Sequence, residues 1–174
     1  MIIKIKRLTK KNYYKPNDLK KWVEWLNDKK VTKFSEQRFS KHSITSQKKF
    51  LKDKVNESNS IVFKIFCDKV FVGLIEIANI DLNHLNCELM YIIGETCVWS
   101  KGVATEAIKL SINYVKQNLK MKKIYAGTYS KNIGSIKVLK KNNFRIEGKI
   151  SKYFKISINS KNLRIPKIIL GLNI

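Results

Sequence analysis

The chain has 174 residues, 44% hydrophobic and 10% aromatic, and its 36 Lys and Arg against 13 Asp and Glu give a formal net charge of +23. That apolar share excludes a disordered tail, and the length suits one compact domain over residues 1–174. No apolar run approaches the ~20 residues of a bilayer-crossing helix, and the start MIIKIKRL alternates like a strand instead of carrying the apolar centre of a signal peptide. The expectation is therefore a cytoplasmic protein with no membrane partner. Cys67, Cys87 and Cys97 are odd in number and lack Cys-x-x-Cys spacing, so neither a disulfide framework nor a metal site is expected.

In chain order, the alternation predicts a strand over residues 2–8 and the 3.6-residue period a helix over 17–28. Leu19, Trp22, Val23 and Leu26 fall at core spacing on that helix, while Trp25 lies off the stripe and faces either another helix or an acceptor pocket. The irregular stretch VTKFSEQRFSKHSITSQ leads into a helix over 45–57, and strands follow over 60–67, 70–80 and 86–93. Asp68-Lys69 between two apolar runs reads as a hairpin turn. A helix over 102–119, a strand over 122–129 and a helix over 132–142 come next, then strands over 144–157 and 162–172 joined by an Asn159–Asn162 turn. Local strands followed by crossover helices imply a mixed α/β sheet, with no linker or repeat.

The junction after the strand CELMYIIG is the most informative local feature. WSKGVATEAIKLSINYV opens a helix near Gly102, with Val103, Ala107, Leu110 and Tyr114 on one face. The first turn of a helix carries N–H groups without internal partners and a partial positive charge, so it can hold a phosphate if the backbone is approachable. Ser100, Gly102 and Ala104 are small enough to permit that approach. Such a turn alone equally describes an ordinary strand-to-helix connection. A second segment, IYAGTYSKNIGSIKVLKKNNFRIEGKI, adds a helix with Asn132 at its N-cap, Ser135 on its first turn, and Ile136, Val138 and Leu139 on its buried side. Asn143 suits the left-handed residue that ends it before Phe144.

On these two segments the chain resembles the GCN5-related N-acetyltransferase (GNAT) family, in particular its ribosomal-protein and sugar-nucleotide N-acetyltransferase branch. The family loop Arg/Gln-x-x-Gly-x-Gly/Ala appears as Trp99-Ser100-Lys101-Gly102-Val103-Ala104, followed by the branch-like Thr105-Glu106-Ala107, and its Asn-x-x-Ser signature as Asn132 and Ser135. Tryptophan at the first loop position departs from the pattern and removes one cationic contact. The resemblance implies a mixed, mostly antiparallel sheet splayed into a V and flanked by about four helices, with acetyl-CoA as acetyl donor. It also implies that the main chain of Tyr91, Ile92 and Ile93 runs beside the pantetheine arm, and that residues Trp99 to Thr105, with Asn132, hold the cofactor.

Acetyl transfer needs an oriented donor, a deprotonated amine, and a group that supports the departing thiolate. Glu88 shares a strand face with Met90 and Ile92, roughly 13 Å from the loop end, a distance suited to the acceptor amine. The resemblance gives it the role of base, with Glu76 as competitor; for either, the alternative is a carboxylate paired with lysine. Many family members carry a tyrosine acid on the final short helix, where this chain has Leu139, and the branch resemblance assigns the thiolate to Ser135 instead. Asn132 caps that helix and can reach the pantetheine amides; Tyr125 and Tyr129 are lesser candidates for the acid. Cys97 has no neighbouring His in sequence and reads as a bystander.

The acceptor is expected to be a small-molecule amine. The segment holding Arg38 and Phe39 resembles that of acetyltransferases acting on nucleotide-linked amino sugars, with Arg38 on a diphosphate and Phe39 or Trp25 stacked on a sugar or base. Protein N-termini are the alternative acceptor. The high charge raises a third reading, an inactive nucleic-acid-binding module. It is nearly all lysine, however, with only Arg7, Arg38, Arg145 and Arg164, and it is spread through every element, which fits a solvated surface better than a nucleic-acid face. An exposed edge strand would allow a homodimer.

Overall fold

The apolar runs become strands of one sheet, and the 3.6-period segments become helices that cover its two faces. A computed structural model describes residues 1–158 and 161–174. In order these form β1 (Ile3–Arg7), α1 (Pro16–Asn27), α2 (Lys29–Thr32), α3 (Ile44–Lys54), β2 (Ile61–Cys67), β3 (Val70–Asp81), β4 (Asn86–Ile93), α4 (Val103–Tyr114), β5 (Lys123–Tyr129), α5 (Ile133–Lys141), β6 (Arg145–Ile158) and β7 (Lys161–Asn173). Asp68 and Lys69 both take positive φ, 45° and 70°, the paired left-handed residues that match a tight hairpin to strand twist. The expected turn at Asn159–Asn162 lies partly outside the described residues.

Chain order and sheet order diverge where the site forms. The strands lie in the order β1-β2-β3-β4-β5-β7-β6, so β1 and β6 are the sheet edges. All neighbours are antiparallel except β4 and β5, whose parallel pairing covers only Asn86–Glu88 against Lys123–Tyr125. Beyond Glu88 the two strands part, which opens the sheet as a V.

On one face α4 and α5 bury Val103, Ala107, Ile108 and Leu139 against Ile65, Ile75, Ile77, Leu89 and Ile124. On the other, α1 and α3 bury Leu19, Trp22, Leu26 and Leu51 against Val62, Phe71 and Leu74. A fully buried side chain of this kind contributes about 1.5–3 kcal/mol, so both faces are strongly specified.

Three local features differ from expectation. The α4 helix stops at Tyr114, and residues 115–119 continue as a wider π turn ended by Lys120 at φ 54°. The segment taken as irregular holds α2 and a 3-10 turn, Glu36–Phe39, begun by the Ser35 hydroxyl accepting from Gln37 N–H. Trp25, not Val23, completes the α1 core stripe: it is 7% exposed and its ring lies 4.9 Å from that of Phe71. Gly94 makes this seat, since a Cβ there would stand 1.9 Å from the indole.

Candidate active site

The free edge inside the V follows from ladder alternation. Gly94 N–H donates to Val72 O at 2.9 Å, so successive even residues of β4 bond toward β3, and the N–H and C=O groups of Leu89, Tyr91 and Ile93 point the other way. At the closed end that side still meets β5, where Leu85 O accepts from Lys122 N–H at 2.8 Å. Past Glu88, β5 has withdrawn. Tyr91 therefore presents its main-chain groups to the opening and Ile93 its N–H, the Ile93 carbonyl being taken by the Trp99 indole, whereas the main chain of Ile92 belongs to the β3 ladder and its side chain packs with the α1 and α3 cluster. Of the three residues expected on the cofactor arm, Ile92 is therefore the one whose main chain is committed to β3.

The loop after β4 is exposed from Trp99 to Gly102. Ser100 and Gly102 both have positive φ, 62° and 83°, and this pair of left-handed turns delivers the chain into α4. A Cβ at Gly102 would meet nothing within 4 Å, so the residue is required by backbone conformation and not by crowding. Among the described residues no protein acceptor takes the N–H of Gly102, Val103 or Ala104, and Lys101 N–H makes only a long 3.4 Å contact with Val98 O. Unpaired amides at the positive end of a helix form an anion seat. Trp99 braces it: the indole N–H donates to Ile93 O at 2.9 Å, with Lys30 Nζ 5.6 Å above the ring.

Across the opening, Asn132 Oδ1 accepts from Ser135 N–H at 3.2 Å, which makes the expected N-cap of α5. Ser135 Oγ in turn accepts from the Tyr91 phenol at 2.9 Å. Burial pushes that phenol up to about 12, against the opposing pull of the Ser135 bond. The sequence reading used Tyr91 only through its main chain and missed this contact.

Glu88 stands on the other strand face beside Met90, half-exposed, and its Oε2 accepts from Asn79 Nδ2 at 2.9 Å. Asn79 takes a left-handed φ of 50° within the irregular register between Ala78 and Asp81, which turns its amide toward the carboxylate. Tyr125 is the register partner of Glu88 on β5; its phenol is raised, chiefly by burial and next by the Glu88 charge. Glu76 is committed elsewhere, accepting from Ser60 Oγ at 2.7 Å and pairing with Lys54 at 3.0 Å. Burial lowers Lys54, but its bonds to Glu57 and Glu76 prevail and raise it.

The acceptor wall is tied down by polar contacts. Arg38 donates through Nη1 to Ser35 O at 2.7 Å and to the Tyr129 phenol at 2.5 Å, and through Nη2 to Lys155 O at 2.7 Å. The Tyr129 hydroxyl donates to Glu36, and its ring stacks on Phe154 with centroids 3.6 Å apart. A guanidinium so engaged is not free for a diphosphate, and Trp25, in the core, is not free to stack on a base. Phe39 is 64% exposed, with one ring face covered by Arg38 at 4.2 Å.

A second chain of bonds anchors the same loop. Trp22 Nε1 donates to Gln47 Oε1 at 2.9 Å, which leaves Gln47 Nε2 to donate to His42 Nδ1 at 3.0 Å; His42 Nε2–H then donates to Gln37 O at 2.9 Å. Beside the opening, Lys167 lies over Gly127, where a Cβ would approach its Cε to 2.4 Å.

A groove of about 740 Å³ runs along β1 between Lys4, Lys6, Lys15 and Lys69, on the far side of the sheet order from the V. Its lining includes the carboxylates Asp18 and Asp68 but none of Glu88, Ser135 or the first residues of α4. Among the described residues no group of three or more His, Cys, Asp or Glu side chains could hold a metal ion, and no helix is long and apolar enough to cross a membrane.

The family model for the acetyltransferase (GNAT) domain matches residues 7–145. The chain belongs to that family, which makes it an acetyltransferase domain of a class whose donor is acetyl-CoA. It is 42% identical over 57 residues to the Probable N-acetyltransferase YjcK of Bacillus subtilis (strain 168), covering 33% of this chain and 32% of that one. It is 30% identical over 108 residues to the spermidine N(1)-acetyltransferase of Escherichia coli (strain K12), covering 62% of this chain and 58% of that one. The chain thus spans about a third to under three fifths of the length of these curated relatives. The crystal structure of spermidine N-acetyltransferase from Vibrio cholerae, in complex with CoA and spermine, superposes with a TM-score of 0.81 over 98% of this chain and 95% of that one. At 18% identity this likeness establishes the fold.

Proposed function

We propose that the protein transfers acetyl from acetyl-CoA directly to a primary amine of a small, polyamine-like acceptor. The observation that carries the transfer is the meeting, in one opening, of the β4 edge from Tyr91 to the Ile93 N–H, unpaired amides at the start of α4 and the Ser135 hydroxyl. The amides from Gly102 to Ala104 would hold the diphosphate, Tyr91 and Ile93 the pantetheine arm, and the Asn132 side chain its amides. Acetyl-CoA supplies an activated thioester. Glu88, held by Asn79, accepts the proton of the attacking amine, and Ser135 supports the departing sulfur.

The acceptor class rests on two supports. The relatives from Escherichia coli and Vibrio cholerae are named for spermidine, and of the side chains expected to recognise a nucleotide sugar, Arg38 and Trp25 are occupied within the protein while Phe39 stays exposed. The test is thiol release with spermidine, spermine, UDP- and dTDP-amino sugars and N-terminal peptides. Turnover with polyamines is expected. Turnover confined to sugar nucleotides or peptides would overturn the acceptor class. Acetyl-CoA that fails to stabilise the protein thermally, beside salt-sensitive RNA binding, would overturn the enzymatic reading.

A further inference from the structure

The Tyr91 phenol carries a consequence for the leaving group, and it rests on the acetyl-transfer reading. Tyr91 belongs to β4 and Ser135 to α5, on the two sides of the V, yet their hydroxyls meet at 2.9 Å in a part-buried setting. A phenol is the stronger donor and an aliphatic hydroxyl the better acceptor, so the bond runs from Tyr91 to Ser135. The serine oxygen has a single proton, and once one of its lone pairs is filled by Tyr91 that proton must point away from the phenol. Among the described residues no protein acceptor takes that proton, which leaves it available to the thioester that the β4 edge would carry.

We propose that Tyr91 is a positioning residue that aims the Ser135 O–H at the sulfur of the departing coenzyme. In the reaction the amine nitrogen bonds the acetyl carbon and its proton passes to Glu88. The C–S bond breaks with its electron pair staying on sulfur, and the resulting thiolate accepts a hydrogen bond from Ser135 before taking a proton from solvent, to which Glu88 returns the one it accepted. No proton leaves Tyr91. A thiolate with the ordinary thiol pKa of about 8.5 is too weak a base to deprotonate a phenol raised to about 12. The phenol therefore stays a fixed donor through the cycle.

The experiment compares wild type, Tyr91→Phe, Ser135→Ala and the double variant with acetyl-CoA and the best acceptor found. Tyr91→Phe is expected to lower kcat by about five- to thirtyfold, with KM for acetyl-CoA within about twofold, because the lost bond acts on the leaving group and not on docking. Ser135→Ala should lower kcat at least as much, and the double variant should be no slower than Ser135→Ala alone. Multiplying effects, or wild-type kcat in Tyr91→Phe, would overturn the positioning role while leaving the acetyltransferase reading intact. Absence of turnover in wild type would instead overturn that reading. If Tyr91→Phe melts early, the cycle still decides, since both arms carry the same packing change.

Discussion

Replacing Gly102 by alanine tests the coenzyme loop most directly. At φ 83° the residue occupies left-handed space, and an added Cβ meets nothing within 4 Å, so the perturbation is conformational with no clash added. An L-residue there costs about 1–2 kcal/mol. The loop is exposed, so the free protein can relieve most of that cost by rotating the 102 peptide, which moves its amides away from the axis of α4. Restoring them on binding then costs the same amount, and acetyl-CoA affinity should fall by about five- to thirtyfold while the unliganded melting temperature changes little. Gly102→Asn, which tolerates the left-handed region better, should lose only a few-fold. Titration calorimetry with acetyl-CoA, paired with thermal melts, reads both quantities. Unchanged affinity with an unchanged melt in Gly102→Ala would refute the claim that this left-handed residue presents the binding amides.

Glu88→Gln should reduce kcat by about 10²–10⁴ with acetyl-CoA affinity retained, and Asn79→Ala should reduce it less; equal and negligible effects in steady-state assays would remove Glu88 as base. Trp25→Ala should destabilise by about 3–5 kcal/mol, roughly 6–20 °C in melting temperature, because it empties a core seat; a small thermal loss with a raised acceptor KM would return Trp25 to the pocket. Burial first, then the bond to Glu36, raises the Tyr129 phenol to about 12. The folded state therefore holds that proton more tightly than the unfolded chain, and the associated stability is present below about pH 10 and is lost as pH rises toward 12. Tyr129→Phe should flatten that alkaline decline in denaturation experiments, and an identical slope would contradict it. The +23 field should repel a polycation and attract the coenzyme, so added salt should lower KM for spermidine and raise Kd for acetyl-CoA; opposite trends would point to a strongly acidic local acceptor site.

Periodicity and capping are properties of residues a few positions apart, which is why the strands, the Asp68-Lys69 turn, the start of α4 at Gly102, and the Asn132 cap with Ser135 behind it could be read from the chain unaided. The family was legible in two short motifs, the loop around Gly102 and the Asn132–Ser135 pair. Folding had to be known for the polar contacts that join distant segments. Tyr91 and Ser135 are 44 residues apart and Arg38 and Tyr129 are 91 apart, and such pairs leave no periodic trace. The same holds for Trp25, whose place off the expected apolar stripe of α1 said nothing of a seat prepared by Gly94, and for Asn79, whose turn toward Glu88 depends on a register shift between β3 and β4. Hydrophobic pattern dictates which face of an element is buried; which polar atoms then meet is decided by how the two arms of the splayed sheet are set against each other.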